Sequence, residues 1–257
     1  MKFDKRSKVL ALSVAFLYAI WCLIVLTLSL AAVGLLADVF QKGLGLPEEP
    51  LDSLTMIFSL GLAILAFGGW RCSNLRKIFL PKHWCVPKNP SSVLAIVLCL
   101  TSSEFIGATL EFLPGYLELY EKYLEMFVDN TDFTMLLGII AFPIFEEIFF
   151  RGILFNGIEK RSSFWPAALI SSLFFGFVHL DILQMIDASI GGFIYAWVYY
   201  RYRSLWIPII GHILNNFIAF LVPFNFQQSI GIGWNIAVAI CTLTISILIV
   251  RRFFPCR

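Results

Sequence analysis

Residues 133–155 read FTMLLGIIAFPIFEEIFFRGILF, an apolar run that contains three charged side chains, Glu146, Glu147 and Arg151. The run is long enough to cross the hydrocarbon core of a bilayer, which takes roughly 20 mostly apolar residues as a helix. A charge placed there costs roughly 2.5–3.5 kcal/mol on insertion scales. Charges this close together in hydrocarbon face a cavity, pair with one another, or carry a function, and residue spacing separates those roles. Glu147 and Arg151 are four apart and share a helical face, so they can neutralise each other. Glu146 is turned from Glu147 by about 100° and is free to point elsewhere.

The rest of the chain is of the same kind. It has 257 residues, 59% of them hydrophobic and 14% charged, where a soluble domain carries about 25% charged residues. Apolar runs recur throughout, and a helix satisfies its own backbone in lipid. The expected fold is all-α, a polytopic transmembrane helical bundle of about eight spans. The spans fall near 9–37, 54–70, 92–112, 133–157, 165–180, 182–200, 205–222 and 234–250. The first follows Lys2, Lys5, Arg6 and Lys8 and is read as a retained span, because a signal peptide has an apolar region of only about 7–15 residues. The sixth is interrupted by Gln184 and Asp187 and reads as a bent or partly re-entrant helix.

Lysine and arginine collect around residues 2–8, 71–88, 160–161, 201–203 and 251–257, and acidic residues in the alternate loops. By the positive-inside rule both termini are cytoplasmic. Within 115–129, Tyr116, Tyr120, Tyr123, Leu124 and Phe127 share one helical face opposite Glu118, Glu121, Lys122 and Glu125, the pattern of an amphipathic helix on the outer surface. The expected organisation is one membrane domain in three parts. Residues 1–130 are N-terminal helices plus the surface helix, 131–222 the core, and 223–257 a last span with a basic tail. The scattered basic residues exclude a nucleic-acid partner. The cysteines show no C-x-x-C spacing, and Cys22, Cys99 and Cys241, within apolar runs, read as buried thiols.

The second half adds intramembrane His179, His212 and Asn216. Counting helix rise from the cytoplasmic ends, Glu146 lies about 20 Å deep, His179 about 22 Å, Asn216 about 18 Å and His212 about 12 Å. These overlapping layers, on three helices, are what a convergent site requires. His212 and Asn216 are one turn apart on one face. Glu104 falls at about 18 Å and reads as a solvated or hydrogen-bonded residue or as part of a cavity lining.

Glu146-Glu147-x-x-x-Arg151, then Phe175-x-x-x-His179, then His212-x-x-x-Asn216, in that order on successive helices, resembles the CPBP family. This is the family of type II CAAX prenyl proteases and of bacterial Abi or bacteriocin-processing proteins. The resemblance covers roughly residues 130–222. It implies intramembrane hydrolysis of a peptide bond in a membrane-associated protein or peptide. It implies Glu146 and His179 as the groups that activate water, and His212 and Asn216 as holders of the oxyanion. Glu147 and Arg151 would then be a supporting pair, with Phe175 packed behind His179. If a divalent metal such as zinc takes part, its ligands are Glu146, His179 and His212; otherwise no cofactor is implied. The expected location is the cell (plasma or inner) membrane. Two other functions stay open, of which only the first uses the same residues. One is a proton-coupled transporter; the other is a non-catalytic scaffold or immunity factor. The oligomeric state is left open.

Overall fold

In a computed structural model, the structure describes residues 5–44, 48–70, 84, 90–112, 115, 135–179, 182–221 and 231–253. Among the described residues the secondary structure is helical, with no strand. The surface helix expected at 115–129 lies, from 116 onward, outside them.

The α-helices are α1 (Lys5–Leu44), α2 (Glu48–Trp70), α3 (Pro90–Gly107), α4 (Phe142–Glu147), α5 (Asn156–Glu159), α6 (Phe164–Phe177), α7 (Ile182–Tyr202), α8 (Trp206–Leu221) and α9 (Ile232–Phe253). Two π-helical stretches flank α4, π1 (Leu137–Ala141) and π2 (Ile148–Phe155). Every span expected from hydropathy therefore meets a helix. By length and composition three described helices suffice to cross a membrane, Val9–Gly43, Ile182–Tyr202 and Ile232–Arg252. Leu54–Ala66, Phe164–Phe177 and Trp206–Ala219 are shorter apolar helices.

Two expectations change. Gln184 and Asp187 do not interrupt the helix over 182–200, since α7 runs unbroken over 21 residues. Asp187 is accommodated against the Cα of Gly107 on α3, where a Cβ would stand 2.7 Å from its Oδ1. The run 133–157 is not one regular α-helix but alternates π and α turns. Pro143 explains the first widening. It has no N–H for the carbonyl four residues back, and its ring presses on that carbonyl. The Phe142 N–H instead reaches Leu137 O, five residues back.

The chain divides into two compact units, Met1–Trp84 with Asp129–Ser171, and Cys85–Val128 with Ser172–Arg257. In the first, α1 packs along α2, and both pack on the 137–159 segment. The α1 face that makes these contacts is built from small groups, Ala15, Ala19 and Cys22, all fully buried, which let helices approach closely. Its other faces present Leu10, Phe16, Leu17 and Leu28 outward, as a lipid-facing surface does.

In the second unit α9 packs on α3, and α7 and α8 pack on each other and on α3. Ser102 and Thr242 hydrogen-bond across the α3–α9 interface at 2.7 Å. The buried face of α9 is Asn235, Ala239, Ser246 and Val250. Cys241 falls off that face and is exposed, while Cys22 is buried, so the reading of Cys241 as a buried thiol is corrected. A tight turn joins α7 to α8. Arg203 takes a left-handed conformation (φ 53), its N–H donates to Tyr199 O at 2.7 Å, and its guanidinium lies 4.6 Å over the Tyr200 ring. This is a helix C-terminal cap made by an arginine where glycine is usual. It turns the chain directly into the helix that carries His212.

Candidate active site

The expected site residues are divided between the units, with Glu146, Glu147 and Arg151 in the first and Phe175, His179, His212 and Asn216 in the second.

In the first unit Glu146 and Glu147 close α4, and Arg151 lies one turn on, inside π2. Arg151 Nη1 donates to Glu147 Oε1 at 2.8 Å. The two side chains are 1% and 0% exposed, so both charges are removed from lipid and water and each is offset by the other. Glu146, the next residue, is only half-buried. Phe145 packs against Gly61 of α2, and all eight residues of π2 are buried.

In the second unit Phe175 stands between two imidazoles. Its ring centroid is 5.1 Å from that of His179 at 86°, and 5.6 Å from that of His212 at 88°. It thus supports both histidines, where its spacing had suggested His179 alone. His179 does not lie within its helix, as the expected span 165–180 had it. α6 ends at Phe177, and His179 follows in a turn whose N–H donates to Gly176 O at 3.1 Å. Its Nδ1 is 2.8 Å from Phe175 O. A carbonyl only accepts, so Nδ1 carries a proton, and in the neutral ring Nε2 is the nitrogen with the lone pair. His179 therefore caps a carbonyl left over at the helix end and still keeps a basic nitrogen. Gly176 permits the arrangement, because a Cβ there would collide with Met185 O and Ser189 Oγ of α7.

His212, 6% exposed, stacks on Tyr195 of α7 with centroids 5.2 Å apart and planes at 25°. Phe175 edge-on and Tyr195 face-on leave the imidazole little rotational freedom. Asn216, one turn further along α8, is half-buried. Tyr195 was not anticipated. Within the aromatic-rich sequence of α7 nothing marks it; the nearest signal is Gly191-Gly192 one turn earlier, which suggests close helix packing.

Within neither unit do the described residues gather three or more His, Cys, Asp and Glu side chains about one point. The second unit offers two imidazoles to a metal, short of the three protein ligands usual for catalytic zinc.

Residues 130–218 match the type II CAAX prenyl endopeptidase Rce1-like family. The stretch contains every residue of the three motifs. YdiL of Bacillus subtilis (strain 168), a proposed membrane peptidase, is 29% identical over 147 residues, which are 53% of this chain and 60% of that protein. The chain thus spans about three fifths of the length of the curated relative it matches. No solved structure is significantly similar to it. Over residues 130–218 the chain is similar to the type II CAAX prenyl endopeptidases, in line with the resemblance its three motifs carry.

Proposed function

We propose that the protein is an intramembrane endopeptidase that hydrolyses a peptide bond of a membrane-associated protein or peptide in the cell (plasma or inner) membrane. The observation that carries this reading is the family match over 130–218, which encloses the intramembrane Glu, His and Asn residues in the order of the family's motifs. In this reading 131–222 is the catalytic core, and the helices before and after it support that core.

Glu146 acts as general base toward a water molecule, with His179 as its partner. The assigned tautomer suits this role, since the Phe175 carbonyl occupies Nδ1 and leaves the Nε2 lone pair to take or share a proton. The hydroxide attacks the scissile carbonyl carbon and its oxygen gains negative charge. His212, through a ring N–H, and Asn216, through its amide N–H groups, donate to that oxygen. A fixed donor of this kind is typically worth about 10²–10³ in rate. The stacking of His212 on Tyr195 and its edge contact with Phe175 supply such fixation. Collapse of the intermediate breaks the C–N bond, and the proton taken from water passes to the leaving amine. Glu147 and Arg151 brace the segment that carries Glu146.

The test is cleavage of a membrane-tethered reporter peptide by the protein in lipid. Glu146→Gln and His179→Ala are each expected to abolish cleavage while the amount of folded protein stays unchanged. Undiminished cleavage by Glu146→Gln would remove the general base from the mechanism.

A further inference from the structure

We infer that Tyr18, on a helix outside the matched core, is a positioning residue that holds π2 in its widened winding and thereby sets the placement of the Glu146-Glu147 pair at its N-terminal end. This rests on the reading of Glu146 as the base.

A π-helix pairs each N–H with the carbonyl five residues back, an α-helix with the carbonyl four back. Where a chain crosses from the first pairing to the second, the acceptor jumps ahead by two and one carbonyl is skipped. A buried carbonyl needs a donor. π2 passes into α5 at Phe155–Asn156, where the Asn156 N–H reaches back only to Ile153 O and passes over Gly152 O. Side chains converge on that turn. Asn156 Nδ2 donates to Gly152 O at 3.0 Å. Tyr18 Oη donates to the same Ile153 O at 3.2 Å across 135 residues of sequence, so that the Asn156 N–H and the tyrosine hydroxyl together fill the carbonyl that α winding would give to the Gly157 N–H.

The tyrosine is held from two further sides. Its ring occupies the space that a Cβ on Gly157 would need. The Arg161 guanidinium lies over the other part of the ring, 4.2 Å from the centroid, and its Nη1 donates to Gly157 O at 2.6 Å. Glycine, arginine and tyrosine thus form a latch at the end of π2. Reversion of π2 to regular α winding removes one residue's worth of extra turn and rotates everything upstream by about 100° relative to α5. Arg151, Glu147 and Glu146 all lie upstream. A hydroxyl that favours the π winding therefore favours one orientation of the proposed base.

The experiment uses the full chain in lipid, with Tyr18→Phe as the main variant and Gly157→Ala as the second. Phenylalanine keeps the ring and its contact with Arg161 and removes only the hydroxyl; alanine at 157 displaces the ring. Two quantities are read, amide hydrogen exchange over 150–157 and the kinetics of reporter cleavage. Tyr18→Phe is expected to speed exchange in this stretch and to lower kcat about three- to tenfold, the effect of one lost hydrogen bond. KM and folded yield are expected to stay unchanged, a split that loss of general packing does not produce. Gly157→Ala is expected to move both quantities in the same direction. Unchanged exchange, or faster exchange with unchanged kcat, in Tyr18→Phe overturns the inference. If the wild-type protein cleaves nothing, the peptidase reading fails, and exchange alone upholds or overturns the latch.

Discussion

Arg151 Nη1 donates to Glu147 Oε1 at 2.8 Å across the junction of α4 and π2, with both side chains almost fully buried. Removal of one member of such a pair leaves the other charged and uncompensated, typically at about 3–5 kcal/mol. Against a usual stability of about 5–15 kcal/mol that is a large loss. Glu147→Ala and Arg151→Ala are each expected to lower the melting temperature and folded yield sharply. The joint replacement Glu147→Leu with Arg151→Met is expected to recover most of the stability, because two apolar side chains of similar volume need no partner. Thermal unfolding in detergent checks this; a double variant no more stable than the singles would show that the residues act independently.

Tyr195 and His212 stack at 5.2 Å, and the contact requires an aromatic ring rather than a hydroxyl. Tyr195→Phe is expected to retain most of the cleavage rate. Tyr195→Leu frees one face of the imidazole and is expected to lower kcat about tenfold, a fraction of what outright loss of an oxyanion donor costs. KM is expected to change little, because the stack bears on the transition state. Equal activity in the phenylalanine and leucine variants would mean that the stack has no part in orienting His212.

Hydropathy alone located each helical segment, because a helix in lipid must be apolar along its whole length. The family resemblance was legible because three short motifs recur in order over the stretch that matches. The winding was not legible. Whether a buried apolar helix pairs four or five residues back depends on which side chains reach its carbonyls, and Tyr18 lies 135 residues from Ile153. Pro143 was a local hint for π1 only. The place of His179 beyond the end of α6 was missed for a related reason. The sequence around it stays apolar through Val178, and the helix end shows only in the backbone, where the His179 N–H reaches Gly176 O. Tyr195 escaped notice because an aromatic residue in an aromatic-rich helix carries no signal until its partner is known.

The cysteines offer a test of which faces meet lipid. Cys22 is buried among α1 and its neighbours, while Cys241 is exposed on α9. In membranes from a strain expressing the chain with its other four cysteines replaced by serine, an apolar maleimide is expected to label Cys241 readily and Cys22 slowly. Mass spectrometry of the labelled peptides reads the ratio. Faster labelling of Cys22 than of Cys241 would contradict the packing of α1 against α2 and the 137–159 segment.

Gly176 and Met185 meet backbone to backbone, and Ser189 Oγ closes the same space. Gly176→Ala forces apart the end of α6 and the first turns of α7, an overpacking that typically costs about 1–3 kcal/mol. The strain falls three residues before His179, whose Nδ1 contact with Phe175 O lies in the same turn. Cleavage is therefore expected to fall more steeply than folded yield. Removal of the serine hydroxyl by Ser189→Ala relieves only the side-chain part of the clash, since Met185 contributes a carbonyl that no substitution removes. The double variant is expected to regain less than half of the lost activity. Full recovery on measuring cleavage in the pair would show that the hydroxyl alone excludes a methyl group at 176, and that α6 and α7 do not touch there through their backbones.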